Sequence, residues 1–243
     1  MLLEDKHAVI YGAGGPVGAA VARAYAREGA KVALAGRTTA KLNELARDIA
    51  AASPAVTDVA QVDVLDEQDV RRHADRLAEQ TGGLDICFNA VGDEAQLGTP
   101  LPDLPLPVFL EPVTRLVTAQ FLIAKAVAPH MTRRRSGVIL TMTGSGTPAA
   151  GMGGAMTAWA AVDALCGQLA RELGPRGIRV LWLRSNGVTE DVRSGDAAER
   201  ARSMLGRLAS PSDAANVAAF LASDQAGTMT ATAANITSGA EAG

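Results

Sequence analysis

His7-Ala8-Val9-Ile10-Tyr11-Gly12-Ala13-Gly14-Gly15-Pro16-Val17-Gly18 asks for two different backbones in succession. The run from His7 to Tyr11 is short, apolar and β-prone, and reads as a buried strand. A cluster of glycines follows. It lets the chain turn sharply and brings the backbone close to whatever lies above it. From Val17 to Glu28 the apolar residues recur at helical spacing, so the glycines sit between a strand end and a helix start. A helix N-terminus offers N–H donors and partial positive charge, and a strand–glycine–helix unit is a cradle for a pyrophosphate.

The same alternation continues to the other end of the chain. Lys31–Ala35, Val56–Val62, Leu84–Phe88, Gly137–Met142 and Ile178–Leu183 read as buried strands, with Ala233–Thr237 a weaker seventh. Residues 40–51, 67–80, 113–131 and 152–173 carry apolar residues at helical spacing. Near-continuous apolar strands alternating with helices predict an α/β fold. Its form is a doubly wound parallel sheet of about seven strands with helices on both faces. Thr99–Pro112 holds five prolines and is predicted to be a stiff loop. The polar stretch Gly187–Gly206 follows the sixth strand, where ligands of such sheets bind, and reads either as a substrate lid or as a surface excursion. No repeat or linker divides residues 1–243, which are expected to form one domain.

Composition excludes several functions. The chain is 48% hydrophobic and 3% aromatic, so Ala, Val and Leu must fill its core. With a net charge of -3 and interleaved signs, it lacks the basic stripe that a nucleic acid requires. Cys87 and Cys166 sit in apolar runs and read as buried thiols of a cytoplasmic protein. His7, His73 and His130 are scattered, which leaves no metal-ligand spacing. Charges precede the first apolar run and no later run reaches about 18 residues, so neither a signal peptide nor a membrane partner is expected.

The glycine spacing is similar to the Gly-x-x-x-Gly-x-Gly pattern of the short-chain dehydrogenase/reductase family, with Gly12 and Gly18 in place, Gly14, Gly15 and Val17 between them, and Pro16 at the middle glycine. Proline suits the first turn of a helix, at the loss of one N–H donor to phosphate. Asp63-Val64 resembles the family's adenine-contacting pair, and Asn89-Ala90-Val91-Gly92 its turn after the fourth strand. Pro129-His130-Met131, Glu172–Val180, Arg207-Leu208 and Phe220–Asp224 extend the likeness over nearly the whole chain. The resemblance implies a Rossmann-type fold and a bound dinucleotide. Where the second strand ends, Gly36-Arg37-Thr38 offers a guanidinium that can grip a 2′-phosphate bidentately, which points to NADP(H) over NAD(H).

The family's chemistry uses an Asn, a Ser and a Tyr-x-x-x-Lys motif. Here Leu116 falls at the asparagine, Ala155 at the tyrosine and Trp159 at the lysine, while the serine falls within Met142–Gly144. No shift of register restores the pair, because the two tyrosines are Tyr11 and Tyr25 and the last lysine is Lys125. Thr143 or Ser145 can supply a hydroxyl, or can simply cap the strand. Trp159 reads as core filling or as a flat wall of the substrate pocket together with Ala155. Arg184 reads as an anchor for an anionic group or as a surface ion pair. Two functions follow. One is a divergent NADP(H)-dependent oxidoreductase acting on a small molecule that needs no tyrosine acid, such as an iminium ion or an activated C=C bond. The other is a non-catalytic cofactor-binding or scaffolding homologue. The resemblance further implies a homo-oligomer, a dimer or tetramer joined through helices 113–131 and 152–173.

Overall fold

The computed structural model describes residues 1–146, 148–188 and 203–240. Among the described residues, seven strands are parallel neighbours in the order β3-β2-β1-β4-β5-β6-β7. They are β1 (His7–Tyr11), β2 (Lys31–Gly36), β3 (Val56–Gln61), β4 (Ile86–Asn89), β5 (Gly137–Gly144), β6 (Ile178–Ser185) and β7 (Thr232–Asn235). Strand β1 pairs with β2 on one side and β4 on the other, so the winding reverses between β1 and β4. Such a reversal opens a crevice at the carboxyl ends of the strands.

Alternate residues of each strand feed opposite layers. Val9 and Tyr11 face the layer holding α3 (Glu67–Thr81), α4 (Leu106–Arg134) and α5 (Ala155–Leu173). Ala8 and Ile10 face α1 (Pro16–Arg27), α2 (Thr39–Ala52) and α6 (Pro211–Ala222). Small residues let that second layer pack closely: Ala22 and Ala26 of α1 are buried in one cluster with Ala215, Ala218 and Ala222 of α6. Tyr25 supplies the bulk, with its hydroxyl donating to the Ala218 carbonyl at 3.4 Å and its ring edge-on to Phe88 at 6.4 Å. Burying such a ring contributes about 1.5–3 kcal/mol.

The segment read as a proline loop is partly helix. Helix α4 begins at Leu106 rather than near Val113, with Pro107 in its first turn and Pro112 inside it. First-turn prolines give up no intrahelical bond, and Pro112 costs one that the long packed helix absorbs. Helix α6 was not expected at all. Its start is nevertheless written in the sequence: Ser210 accepts from the Asp213 N–H at 3.0 Å while the Asp213 carboxylate accepts from the Ser210 N–H at 2.9 Å. No uninterrupted apolar run of membrane length occurs in α4, where Glu111, Arg115 and Lys125 break the sequence. Among the described residues, α4 alone is long and apolar enough, by length and composition, to cross a membrane. In this fold it packs against α3, α5 and the sheet. Of the 187–206 segment, residues 189–202 lie outside the described residues, and Val188 at its near end forms a bridge with Ala209.

Candidate cofactor cleft and active-site pocket

At the carboxyl ends of β1 and β2 the chain leaves a cleft of about 270 Å³. Its floor is Gly12, Gly14 and Gly15, and Gly36, Arg37 and Thr38 form one wall. Asp63 and Val64 beyond β3 and Ala90–Gly92 beyond β4 complete it. Gly12 has φ +80, and a Cβ there would stand 2.8 Å from the Ala90 carbonyl oxygen. That position must be glycine for both reasons. Gly18 is buried beneath the loop, where a Cβ would run into the Gly12 carbonyl. Gly15 caps α1 with extended backbone and Pro16 opens the helix. The Gly15 N–H is taken by Gly12 at 3.1 Å. First-turn N–H groups of a helix have no intrahelical acceptor, and those of Val17 and Gly18 stand at the start of α1, directly after the glycine floor. A glycine floor facing a helix N-terminus, with a guanidinium at the far wall, fits the pyrophosphate and phosphorylated ribose of a dinucleotide.

Asn89 does not line the cleft. It is 3% exposed and builds the turn from below: its side-chain oxygen accepts from the Val91 N–H at 3.0 Å, and its amide donates to Gln120 at 2.9 Å. Thr141 donates to the Asn89 carbonyl at 3.3 Å. Asn89 is therefore a positioning residue for Ala90–Gly92.

Sequence reasoning missed the charges around Arg37. The Arg37 guanidinium donates to Glu94 at 2.7 Å, and Arg115 of α4 reaches the other Glu94 oxygen at 3.2 Å. Arg115 also holds Glu111 at 2.7 Å. Glu94 therefore occupies the guanidinium that the sequence assigns to a 2′-phosphate. Lys41 of α2 lines the same cleft, so Arg37, Arg115 and Lys41 place three cations there. Because the partners lie 57 positions apart, no local pattern announces the Arg37–Glu94 pair.

Beyond β4 and β5 lies a second pocket of about 400 Å³. Leu116, Ala155 and Trp159 all line it, together with Val17, Thr143 and Gly144. The Trp159 indole lies flat on Gly144, so close that a Cβ at that position would enter the six-membered ring. Its N–H donates to the Asp93 carboxylate at 2.8 Å. Trp159 is neither deep in the core nor free at the surface; it is the wall between strand β5 and the loop after β4. Leu116 and Ala155 are buried apolar surfaces beside it. Asp93 is the residue that sequence reasoning overlooked here, although it directly follows the Asn-Ala-Val-Gly turn.

The two hydroxyl candidates differ in placement. Thr143 borders the pocket but is 4% exposed, donating to Asp163 at 3.3 Å and to the Leu183 carbonyl at 3.4 Å. Ser145 follows the strand end, where its N–H donates to the Ser185 carbonyl at 2.8 Å, and it is not among the residues lining the pocket. Arg184 does not line the pocket either. Its guanidinium is bound by Asp163, with Nε donating at 2.7 Å. Burial pushes the Asp163 carboxyl above its ordinary range, and bonds from Arg184 and Thr143 oppose that shift. The ion-pair reading of Arg184 describes its surroundings.

Residues 12–241 match the family profile described as enoyl-(acyl carrier protein) reductase. The chain is 30% identical over 235 residues to the 7alpha-hydroxysteroid dehydrogenase of Escherichia coli, covering 92% of this chain and 89% of that one. It is also 30% identical over 220 residues to an uncharacterised oxidoreductase of Staphylococcus saprophyticus, covering 90% and 91%. Among solved structures, a short-chain dehydrogenase from Burkholderia cenocepacia in complex with NADP superposes with a TM-score of 0.88 at 29% identity over all of both chains. A short-chain type dehydrogenase/reductase from Mycobacterium marinum gives 0.90 at 29% identity, covering 99% and 97%. With its reversed parallel winding, its glycine floor and a match running from the first glycine to within two residues of the end, the chain belongs to the short-chain dehydrogenase/reductase family.

Proposed function

We propose that the protein is an NADP(H)-dependent oxidoreductase that works without a tyrosine–lysine acid–base pair, on an iminium ion or an activated C=C bond. One observation carries this reading: the glycine-floored cleft opens beside a pocket of about 400 Å³ that Trp159 borders but does not fill. A homologue kept only as a scaffold needs no such pocket. When bound, the nicotinamide supplies or accepts a hydride. Gly12, Gly14 and Gly15 admit the pyrophosphate, Val17 and Gly18 donate to it, Asp63 and Val64 border the adenosine, and Arg37 meets the 2′-phosphate once Glu94 releases it.

Leu116, Ala155 and Trp159 offer no proton to a developing alkoxide, and the Thr143 hydroxyl is turned toward Asp163. Loss of a positioned general acid costs about 10²–10⁴ in rate, so ordinary ketones are poor substrates on this reading. A homo-oligomer joined through α4 and α5 belongs to the same proposal. It is supported by Leu110 and Phe121, 40% and 47% exposed on α4. A cytoplasmic setting is supported by the buried free thiols Cys87 and Cys166.

Titration of the protein with NADPH, followed by tryptophan fluorescence and thermal unfolding, tests the proposal. A ligand that binds only the folded state raises the melting temperature with its concentration. A saturable fluorescence change lost in Trp159→Phe but kept when Trp182 is replaced supports it. Flat responses on both readouts transfer support to the scaffolding reading.

A further inference from the structure

The loop after β4 presents two neighbouring carboxylates to two different places. Glu94 borders the cofactor cleft and is held by Arg37 and Arg115. Asp93 borders the second pocket instead. It is the one ionisable side chain among the described residues lining that pocket. No Lys, Arg or His among the described residues forms an ion pair with it. Its oxygens accept one bond from the Trp159 indole at 2.8 Å and one from the Ala95 N–H at 3.3 Å. Both donors are neutral. They fix the carboxylate in place with no cationic partner among the described residues, beside Leu97, Leu116, Met152 and Ala155.

We infer that Asp93 and Trp159 form a subsite for a cationic nitrogen, so that the pocket takes iminium ions and the amines related to them rather than neutral alkenes. A half-buried carboxylate without a countercharge attracts a cation more strongly than one fully in water does, and a ligand cation can supply that partner. An indole beside the carboxylate adds the aromatic face on which alkylated ammonium groups are bound. The charge also sorts the two substrate classes. Reduction of a conjugated alkene builds negative charge next to Asp93, with no other acid among the described residues that line the pocket to quench it. An iminium carbon accepts a hydride without a proton: its C=N π pair becomes the nitrogen lone pair, and the neutral amine takes its proton from water on release. Asp93 acts here on capture of the cation, so its loss raises the dissociation constant for a preformed iminium. The inference rests on the redox reading for its chemistry and on the pocket alone for its binding.

The test uses two unreactive probes of similar shape, N,N-dimethylpiperidinium and neutral 4,4-dimethyltetrahydropyran, titrated calorimetrically into the protein with and without saturating NADP⁺. The wild type is expected to bind the cation at least about tenfold tighter, and Asp93→Asn, which keeps an oxygen for Trp159, to erase the preference. Equal affinities in the wild type overturn the inference with no variant needed, as does a preference that survives in Asp93→Asn. If Asp93→Asn weakens NADP⁺ relative to NADPH and leaves the cation probe unchanged, the carboxylate serves the nicotinamide and the substrate subsite is refuted. A cation preference without any NADPH binding keeps the subsite and sinks the redox reading; NADPH binding without a cation preference does the reverse.

Discussion

Replacing Gly144 by alanine adds one methyl group at a strand end, and the structure sets the sign of its effect. The backbone of Gly144 lies outside the left-handed region, so alanine is conformationally acceptable there. In a permissive site such a change stabilises by about 0.4–1 kcal/mol through the unfolded chain. Here the methyl would enter the Trp159 ring. The indole cannot yield freely, because its N–H is tied to Asp93 at 2.8 Å. Forcing an extra carbon into a packed contact costs about 1–3 kcal/mol. For a chain of this length that lowers the melting temperature by about 2–12 °C. With Trp159→Ala already in place the obstacle is gone, and the same methyl should raise the melting temperature by about 1–4 °C. The coupling between the two positions is then about 1.4–4 kcal/mol, from the middle to just beyond the top of the range of about 0.5–3 kcal/mol seen for residues in contact. Denaturant unfolding of the wild type, both single variants and the double variant measures it. Additive effects, or a neutral Gly144→Ala in the wild-type background, would refute the claim that the indole is pinned to this strand.

Arg37→Ala should erase an NADPH-over-NADH preference of at least about tenfold, matching a charge-assisted contact of about 1.5–3 kcal/mol; equal affinities in the wild type would remove the assignment. Glu94→Gln frees the same guanidinium from an exposed pair worth about 0.2–1 kcal/mol, so NADPH should bind about 1.4- to 5-fold tighter while NADH stays unchanged by calorimetry. Asp213 is held down to about 2 by the bonded Arg207 guanidinium, with Ser210 helping against burial. A depressed carboxylate stabilises the fold above its unfolded value and loses that contribution as pH falls from about 4 toward 2. Asp213→Asn should therefore cost about 0.3–1.5 kcal/mol at neutral pH, and its difference from the wild type should shrink below pH 4 in acid-unfolding curves. Simple ketones should turn over at least about 10²-fold more slowly than a preformed iminium, and comparable rates would show that another proton donor serves the pocket.

What the sequence made legible is local in origin. The positive φ of Gly12 and the burial of Gly18 follow from a strand that must turn at once into a helix. Arg37 could be assigned to the cleft because it stands one residue past β2, on the same edge as the glycines. Helix α4 was misjudged at its start because proline counts against a helix interior and not against a first turn. Helix α6 was hidden by its alanines, which give little amphipathic contrast, although its capping box was readable. The site residues that escaped notice depend on contacts between distant segments. Glu94 matters because of Arg37 and Arg115, and Asp93 because of Trp159. No periodicity carries such pairings, so sequence reasoning could name Trp159 without choosing between core and wall.

That choice bears on whether the missing tyrosine and lysine mean decay or a different chemistry. Simple loss of two polar side chains from a buried site leaves either an open void or a collapsed wall, and neither requires a partner residue to adapt. The arrangement around Trp159 involves three positions at once. Counted along the sequence, the indole falls at the family's lysine and Gly144 within its serine window; in the structure the indole lies against Gly144 and a carboxylate in the loop after β4 accepts its N–H. Each alone is unremarkable, but glycine weakens a strand by about 0.5–1 kcal/mol relative to alanine, and a carboxylate near apolar surface carries a further cost. The indole offsets both only when it lies flat between them, and in that position it leaves the pocket open toward Ala155 and Leu116. On the proposed reading, trading a proton donor and its activating cation for a flat wall and a fixed anion would reverse the charge that the pocket accommodates. A neutral carbonyl gains nothing from that exchange, whereas a cation does.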